Sequence, residues 1–594
     1  MRSQKTLSVS QEFSEAIQQA NQQQALASDP MASVFVSASA GSGKTKLLID
    51  RLLRLMLPRP NPAGGEGLPG SPPARILCLT FTKAAAAEMA IRLQKRLGRW
   101  VTLPDHALNA ELQALSVPCT VETRRRARAL FAEVLDLPGG MRIGTIHAFC
   151  QSLLRRFPLE AAMNPHFTVM EETDARLALQ GCVETVLGNS ATQSIAPLAG
   201  QIGLADFVSL VGTLRHDSRG EAIRERILAL PALLPTVLCR VLGLPQGALK
   251  GSESEQIQDA CTDFPGEEYL RDSLPTLVSK GTEAVKATAY RLLDWLALPP
   301  AERARQWDVW RNGLLTKDGK PRKRGLITTK LANDHADLAT ALEREAERIL
   351  AVEEALRGRR LARLGFALLK TAAPVAALYE TRKSQKGLVE YDDLIRRTLG
   401  LLQQPGAAWV LYKLDGGIDH LLLAEVQDTS REQWRIAGDL TAEFFAGDGT
   451  HTREQGPRTV FAVGDYKQSI YGFQGADPDS FRTWRREFKN RAAFASLPWQ
   501  EPDLTVSFRS TAPVLALVDA VFSVPEAARG VAEEDGRAMQ HLTARPGEGG
   551  CVELWPLAEA QMEEDTLSPW EPPTANTTRQ NPQQKLADTL ARFI

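Results

Sequence analysis

The sequence predicts an α/β fold, a parallel sheet with helices on its faces, interrupted by a large all-helical insertion. Three observations carry that prediction. The β-favouring run Val34-Phe35-Val36 passes through a loop of small residues into Gly43-Lys44-Thr45, then into the helical spacing of Leu47, Leu48, Leu52, Leu53 and Leu55. Further strand–turn–helix units follow at Ile76–Met89 and Ile143–Cys150, and buried-strand runs end in polar clusters at Leu421–Thr429 and Thr459–Gln468. Between about 165 and 385 no short turn-bounded β run occurs, and apolar residues such as Leu338, Leu342, Ile349, Leu350, Leu356 and Leu361 keep helical spacing.

The first unit is the most informative. Strand, small-residue loop and helix come in the order of a P-loop NTPase. Small residues let backbone N–H groups turn onto phosphate oxygens, and the helix N-terminus adds its partial positive charge. Lys44 would reach the β- and γ-phosphates of ATP, and the Thr45 hydroxyl would hold Mg²⁺. Ala38 stands where the first glycine of such loops usually sits. Just upstream, Gln22-Gln23-Gln24 offers amides able to donate to and accept from an adenine edge.

Composition bounds the rest. A chain of 594 residues should hold several domains, since one core rarely grows past about 250–300 residues. With 70 basic and 71 acidic residues the net charge is −1, so contacts to nucleic acid must come from local clusters. The seven cysteines form no CxxC pair, which gives no obvious zinc or iron–sulfur site and suits a reducing, cytoplasmic compartment. The polar N-terminus has no apolar signal core, and no run is expected to approach membrane-spanning length.

Taken in order, the Pro/Gly stretch 59–74 reads as an exposed loop. Thr80, Phe81 and Thr82 follow the second strand, and Thr145, His147 and Phe149 follow the third. Each turn alone is also what an ordinary strand-to-helix connection looks like, but both lie where parallel sheets place ligands. Within the helical stretch, Lys317–Arg324 is a basic loop that reads either as solvated surface or as a phosphate contact. The α/β pattern is expected to resume at Tyr391-Asp392-Asp393-Leu394-Ile395. Residues 556–585, rich in Pro, Glu, Gln and Thr, read as a loop or linker.

Seven segments then combine: ASAGSGKT (38–45), LTFTKAAAAEM (79–89), GTIHAFCQSLLRRFPLEA (144–161), EYDDLI (390–395), EVQDTSREQW (425–434), VGDYKQSIYGFQGADP (463–478) and SFRST (507–511). Their order and spacing resemble superfamily 1 DNA helicases of the UvrD/Rep type. RRFPLEA and YGFQGADP point to the AddA branch, the helicase–nuclease subunits of bacterial double-strand-break repair complexes. The resemblance runs from about residue 20 to 530.

It implies the following organisation. Residues 1–164 and 386–503 would form a first RecA-like ATP-binding domain, 165–385 the helical insertion, and 504–594 the start of a second, truncated RecA-like domain. Gln24, Ala38, Ser39, Ala40, Gly41, Ser42, Gly43, Lys44, Thr45, Phe508 and Arg509 would contact ATP, with Gln24 reading adenine and Phe508 stacking on it. Glu425 would orient or deprotonate the attacking water. Gln468 would sense the γ-phosphate, and Arg509 would act as an arginine finger. Thr80, Phe81, Thr82, Thr145, His147, Tyr471 and Phe473 would line a single-strand DNA track on which aromatic stacking is sequence-tolerant. The resemblance also implies 3′-to-5′ movement and an AddB-like partner subunit, with no membrane association.

Two departures bear on activity. The family has Asp-Glu where this chain has Ala424-Glu425, and a methyl group cannot support Mg²⁺. Loss of such an outer metal partner typically lowers metal affinity or activity by about 10–100-fold. The chain also lacks counterparts of the family's later motifs and of a nuclease domain, so ATP binding is expected and turnover is expected to be impaired. The alternatives from the residues are a non-hydrolysing, ATP-responsive DNA-binding module and an unrelated P-loop kinase or transporter ATPase. The last would leave Gln468–Phe473 and Phe508-Arg509 to coincidence.

Overall fold

The strand β1 (Ser33–Ala38) lies inside a seven-stranded, wholly parallel sheet and has neighbours along both edges. The computed structural model describes the chain except residues 1–16, 61–66, 190–191, 216–217, 323–324, 405, 416, 446–455, 532–539, 546, 559–581 and 594. The described chain divides into two compact units, one of residues 1–165 and 394–594, the other of 166–393.

In the first unit the sheet is built from β1, β2 (Ile76–Thr80) and β3 (Ile143–Thr145), joined later in the chain by four more strands. The second unit contributes its own short pair, β4 (Thr168–Val169) and β5 (Leu388–Val389). The first unit then adds β6 (His420–Ala424), β7 (Thr459–Gly464), β8 (Trp499–Gln500) and β9 (Asp503–Leu504). The order is β3-β2-β6-β7-β1-β8, with β9 continuing along the edge of β1 that β8 begins. Pro502 separates those two short strands because it cannot donate to the ladder. Its carbonyl still accepts from Ser37 N at 3.3 Å.

A parallel sheet must be covered on both faces, and β1 shows how. Val34, Val36 and Ala38 point into an aliphatic core with Leu48, Leu52, Leu422 and Val463. Phe35 points the other way, edge-on to Phe481 at 4.8 Å and stacked with Trp434 at 6.1 Å. Trp434 in turn stacks on Trp484, which crosses the helix Arg431–Leu440 over Gly438. The helix Lys44–Met56 is tied beneath the sheet by Arg51, fully buried and donating to the carbonyls of Asp29 and Ala32 and to Thr459 Oγ1.

The flanks of the expected exposed loop at 59–74 are buried instead. Arg59 and Leu68 exchange backbone hydrogen bonds, and the Arg59 guanidinium donates to buried Ser71 at 2.9 Å. Residues 61–66 of that loop lie outside the described residues. A separate parallel pair, β10 (Val506–Ser507) with β11 (Leu542–Thr543), follows β9. The described residues beyond 503 remain in the first compact unit, because β9 is hydrogen-bonded to β1. Of the tail expected to be a linker, 559–581 lies outside the described residues and Pro582–Phe593 is helical.

The second unit is organised on one 50-residue helix, Ala336–Gln385. Leu338, Leu342 and Ile349 pack into a cluster with the stacked pair Trp295 and Trp310, whose centroids are 4.4 Å apart. Further along, Ala372, Val375, Ala376 and Tyr379 pack with Leu179, Phe207 and Val211. By length and composition this helix is apolar enough to cross a membrane, which corrects the expectation that no run approaches that length. Its apolar residues from Ala367 to Tyr379 lie in the second of these clusters. Leu361, expected to face a core, is exposed.

Two features of this unit differ from the sequence expectation. It contains the β4–β5 pair, too short to show periodicity. It also extends to Asp393 rather than to about 385. Buried Lys383 pairs with Glu380, Glu390 and Asp393 at 3.1, 2.9 and 2.6 Å, which fastens the segment after the long helix back onto it. Lys323 and Arg324 of the basic loop lie outside the described residues, and the remainder forms a turn closed by Gly319 N to Thr316 O at 3.0 Å.

A β-carbon on Gly438 would overlap the Trp484 ring. Gly438→Ala is expected to destabilise the chain despite a helix-propensity gain of about 1 kcal/mol, since overpacking typically costs about 1–3 kcal/mol. The midpoint of urea denaturation should fall; an equal or higher midpoint would contradict this packing.

Candidate functional site

Because every strand of the large sheet runs the same way, the loops after β1, β2, β3, β6 and β7 all leave at one edge. The register fixes this edge: Ser37 pairs with Gly464, Ala424 with Val463, and Thr80 with Thr145. All the candidate residues between Ala38 and Phe473 lie on or just beyond it.

The loop after β1 turns at Gly41 and Gly43, whose φ values of 74° and 88° lie in the left-handed region that favours glycine. Gly41 also has no room for a side chain, since a β-carbon would lie 2.6 Å from Arg509 Cβ and 2.7 Å from Ser507 Oγ. Its carbonyl accepts from Phe508 N at 2.9 Å, so the loop and the Phe508-Arg509 segment are held together. The helix Lys44–Met56 begins with no side-chain cap and no acid in its first turn. Its free N–H groups, the positive end of its dipole and Lys44 leave a site that suits an anion. Ser42 Oγ is buried there without a hydrogen-bond partner, a second unmet polar group in the same loop.

Lys44 Nζ lies 3.5 Å from Glu425 Oε2. Glu425 follows β6 and holds a left-handed backbone, φ 53° and ψ 45°, uncommon for a residue with a side chain. Gln427 Nε2 donates to Glu425 Oε2 at 2.8 Å and to Asp428 Oδ2 at 3.2 Å. Burial, and then the neighbouring Glu425 charge, push the Asp428 carboxyl up to about 6. Ala424, the last residue of β6, is buried and offers only a methyl group. Thr45 is half-buried in the first helical turn. Among the described residues no cluster of three His, Cys, Asp or Glu side chains could hold a metal, so Thr45 alone provides a protein oxygen of the kind expected.

Gln468 is exposed on the short helix after β7 and donates to Asp465 Oδ2 at 2.7 Å. Arg509 is exposed beside Gly41. Gln24 and Phe508 line one cleft of about 280 Å³ with Gln23, Ser42, Asp503 and Val506. The Gln24 amide is already engaged there, donating to Ser42 O at 3.3 Å and accepting from Lys46 at 3.2 Å.

Phe81, Tyr471 and Phe473 form an aromatic ladder, with centroids 4.8 Å apart for the first pair and 6.0 Å for the second. Phe473 is 81% exposed at its outer end. His147 is half-buried in the first turn of the helix Ile146–Arg156. Thr80 and Thr145 are buried, and the Thr145 hydroxyl caps that helix by accepting from Ala148 N at 3.2 Å. Thr82 caps the helix Lys83–Thr102 in the same way. The two capping threonines therefore have structural places, and the exposed part of the edge is aromatic. In the sequence Gln427 serves only to fix register, and Asp465 carries no signal of its own; a buried amide between two acids, Glu425 and Asp428, is the signal that could have marked Gln427.

The family model for the UvrD/REP helicase N-terminal domain matches residues 18–489. Among curated proteins, the chain is similar to an "ATP-dependent helicase/nuclease" subunit of the AddA type from Anoxybacillus flavithermus, 24% identical over 522 residues, 82% of this chain and 39% of the relative. The protein of the same name from Desulforudis audaxviator is 27% identical over 526 residues, 82% and 38% of the two chains. That from Exiguobacterium sibiricum is 25% identical over 536 residues, 86% and 40%. The chain spans about two-fifths of the length of the relatives it matches.

The raised Asp428 value fixes the sign of a pH effect. Between about pH 4 and pH 6 the folded chain holds a proton at Asp428 that the unfolded chain has lost, so this residue's contribution to stability falls as pH rises through that window. Relative to Asp428→Asn, the wild type should lose stability from pH 4 to 6, read from denaturation midpoints across pH. A difference constant over that range would contradict the assignment.

Proposed function

The chain belongs to the UvrD/REP helicase family, and we propose that it forms the ATP-binding and single-strand-binding part of a DNA helicase of the AddA kind. The observation that carries this reading is the Lys44–Glu425 pair, 3.5 Å apart, at the mouth of a glycine loop whose helix start is uncapped. A cation for phosphate and a carboxylate for water are then adjacent before any ligand enters.

On this reading the chain is a P-loop ATPase with a RecA-like sheet, and β10 and β11 begin a second RecA-like domain. Residues 165–385 are its helical insertion. Backbone N–H groups of 41–45 and the Lys44 ammonium bind the triphosphate. Gln24 and Phe508 flank the adenine, which competes with Ser42 and Lys46 for the Gln24 amide. Glu425 orients the attacking water and accepts its proton, Gln468 faces the γ-phosphate, and Arg509 brings a second positive charge from beside Gly41. Thr45 would hold Mg²⁺, which supplies charge neutralisation on the β- and γ-oxygens when bound. Phe81, Tyr471 and Phe473 stack successive bases of single-stranded DNA, each worth about 1–3 kcal/mol. His147 lies along the same track.

The wider role is double-strand-break repair and recombination in the cytoplasm, with 3′-to-5′ movement and an AddB-like partner subunit. The relatives' name, which makes each of them one subunit of a helicase/nuclease, supports the partner. A second reading is favoured by Ala424: ATP acts as a ligand that is bound and scarcely hydrolysed, and the chain is an ATP-responsive DNA-binding module.

Steady-state ATP hydrolysis with and without single-stranded DNA separates the two. Weak activity stimulated by DNA supports the helicase motor, and absence of stimulation despite binding of both ligands supports the module. In either case Ala424→Asp should raise the rate by about 10–100-fold by restoring the outer metal partner. Equal rates in the two proteins would contradict the role given to Ala424.

A further inference from the structure

One buried amide joins the two halves of the site. Gln427 is 3% exposed. Its Nε2 donates to Glu425 Oε2 at 2.8 Å, while its Oε1 accepts from Asp465 N at 3.0 Å. Asp465 in turn accepts from Gln468 Nε2 at 2.7 Å and from Lys467 N at 3.2 Å. Three residues beyond Gln468, Tyr471 enters the aromatic ladder with Phe81. The approach of the amide to β7 is close enough to require glycine there, since a β-carbon on Gly464 would lie 2.7 Å from Gln427 Oε1.

We propose that Gln427 is the positioning residue through which the segment carrying Gln468 and the aromatic ladder sets the carboxylate of Glu425, coupling the nucleotide and single-strand sites. The inference rests on the function proposed above. A side-chain amide is rigid and planar, with a donor and an acceptor that turn together. A shift of 465–471 on stacking a base rotates Oε1 with Asp465 N, and the same rotation moves Nε2 against Glu425. The left-handed backbone at Glu425 makes that carboxylate dependent on such a hold, because the conformation itself is unfavourable by about 1–3 kcal/mol. Gln427 touches neither ligand in this scheme and acts through Glu425 and Asp465.

The test is heterotropic coupling measured at equilibrium. The affinity of a labelled oligothymidylate is determined with and without a non-hydrolysable ATP analogue and Mg²⁺, and the converse titration checks reciprocity. In the wild type each ligand should change the other's affinity by about fivefold or more. Gln427→Met should bind each ligand alone within about twofold of wild type and reduce the coupling factor towards one. Gln427→Glu keeps the acceptor for Asp465 N and loses the donor to Glu425, so it should also uncouple. It decides the matter if the methionine variant fails to fold. Coupling that persists in a folded variant overturns the inference, as does a wild type that binds both ligands independently; in that last case the proposed function stands. A wild type that binds neither ligand fails the proposed function, and the inference with it.

Discussion

The constraint on which the site depends is the parallel pairing of β1 with β7 and of β7 with β6. Had any of these strands run the other way, Lys44, Glu425 and Gln468 would lie at opposite ends of the sheet, about 15–20 Å apart for strands of five or six residues. Parallel pairing is available because both faces can be covered, by aliphatic residues around Leu52 and Leu422 on one side and by the Phe35, Trp434, Phe481 group on the other. The core therefore does more than stabilise. It fixes which chain ends meet.

From that edge the chemistry follows by local means. Glycines at 41 and 43 turn the backbone so that the helix begins without a side-chain cap. The unmet N–H groups, the orphaned Ser42 hydroxyl and Lys44 together favour a polyanion. The carboxylates are held apart from one another by the Gln427 amide and not by a metal, which is consistent with a site where Asp is replaced by Ala424. The aromatic ladder lies on the loops after β2 and β7, so a strand of nucleic acid and a nucleotide would share the same sheet edge.

Much of this was legible in the sequence because it is written in short-range pattern. The β1 strand, its glycine loop and its helix are contiguous, and the strand ends after β6 and β7 declare themselves by apolar runs stopping at polar residues. What was not legible depends on long-range pairing. Thr80 and Thr145 look like surface hydroxyls in one dimension, yet their register pairing buries both, and helix capping takes up the Thr145 oxygen. The engagement of Gln24 by Ser42 and Lys46 joins residues about twenty apart. The limit of the helical unit at Asp393 is set by ion pairs to Lys383, and the two-residue strands β4 and β5 carry no period to read. Gln427 needed the β6–β7 register before its amide could be seen to touch Asp465.

Every functional role proposed for the chain requires the loop after β1 to be a nucleotide site in which Lys44 meets phosphate. Equilibrium titration of the chain and of Lys44→Ala with a fluorescent ATP analogue tests that most directly. Saturable binding by the wild type, weakened by about 10–100-fold in the variant as expected for a charge-assisted hydrogen bond of about 1.5–3 kcal/mol, is the predicted result. Equal binding by the two proteins, or none by the wild type, would contradict it.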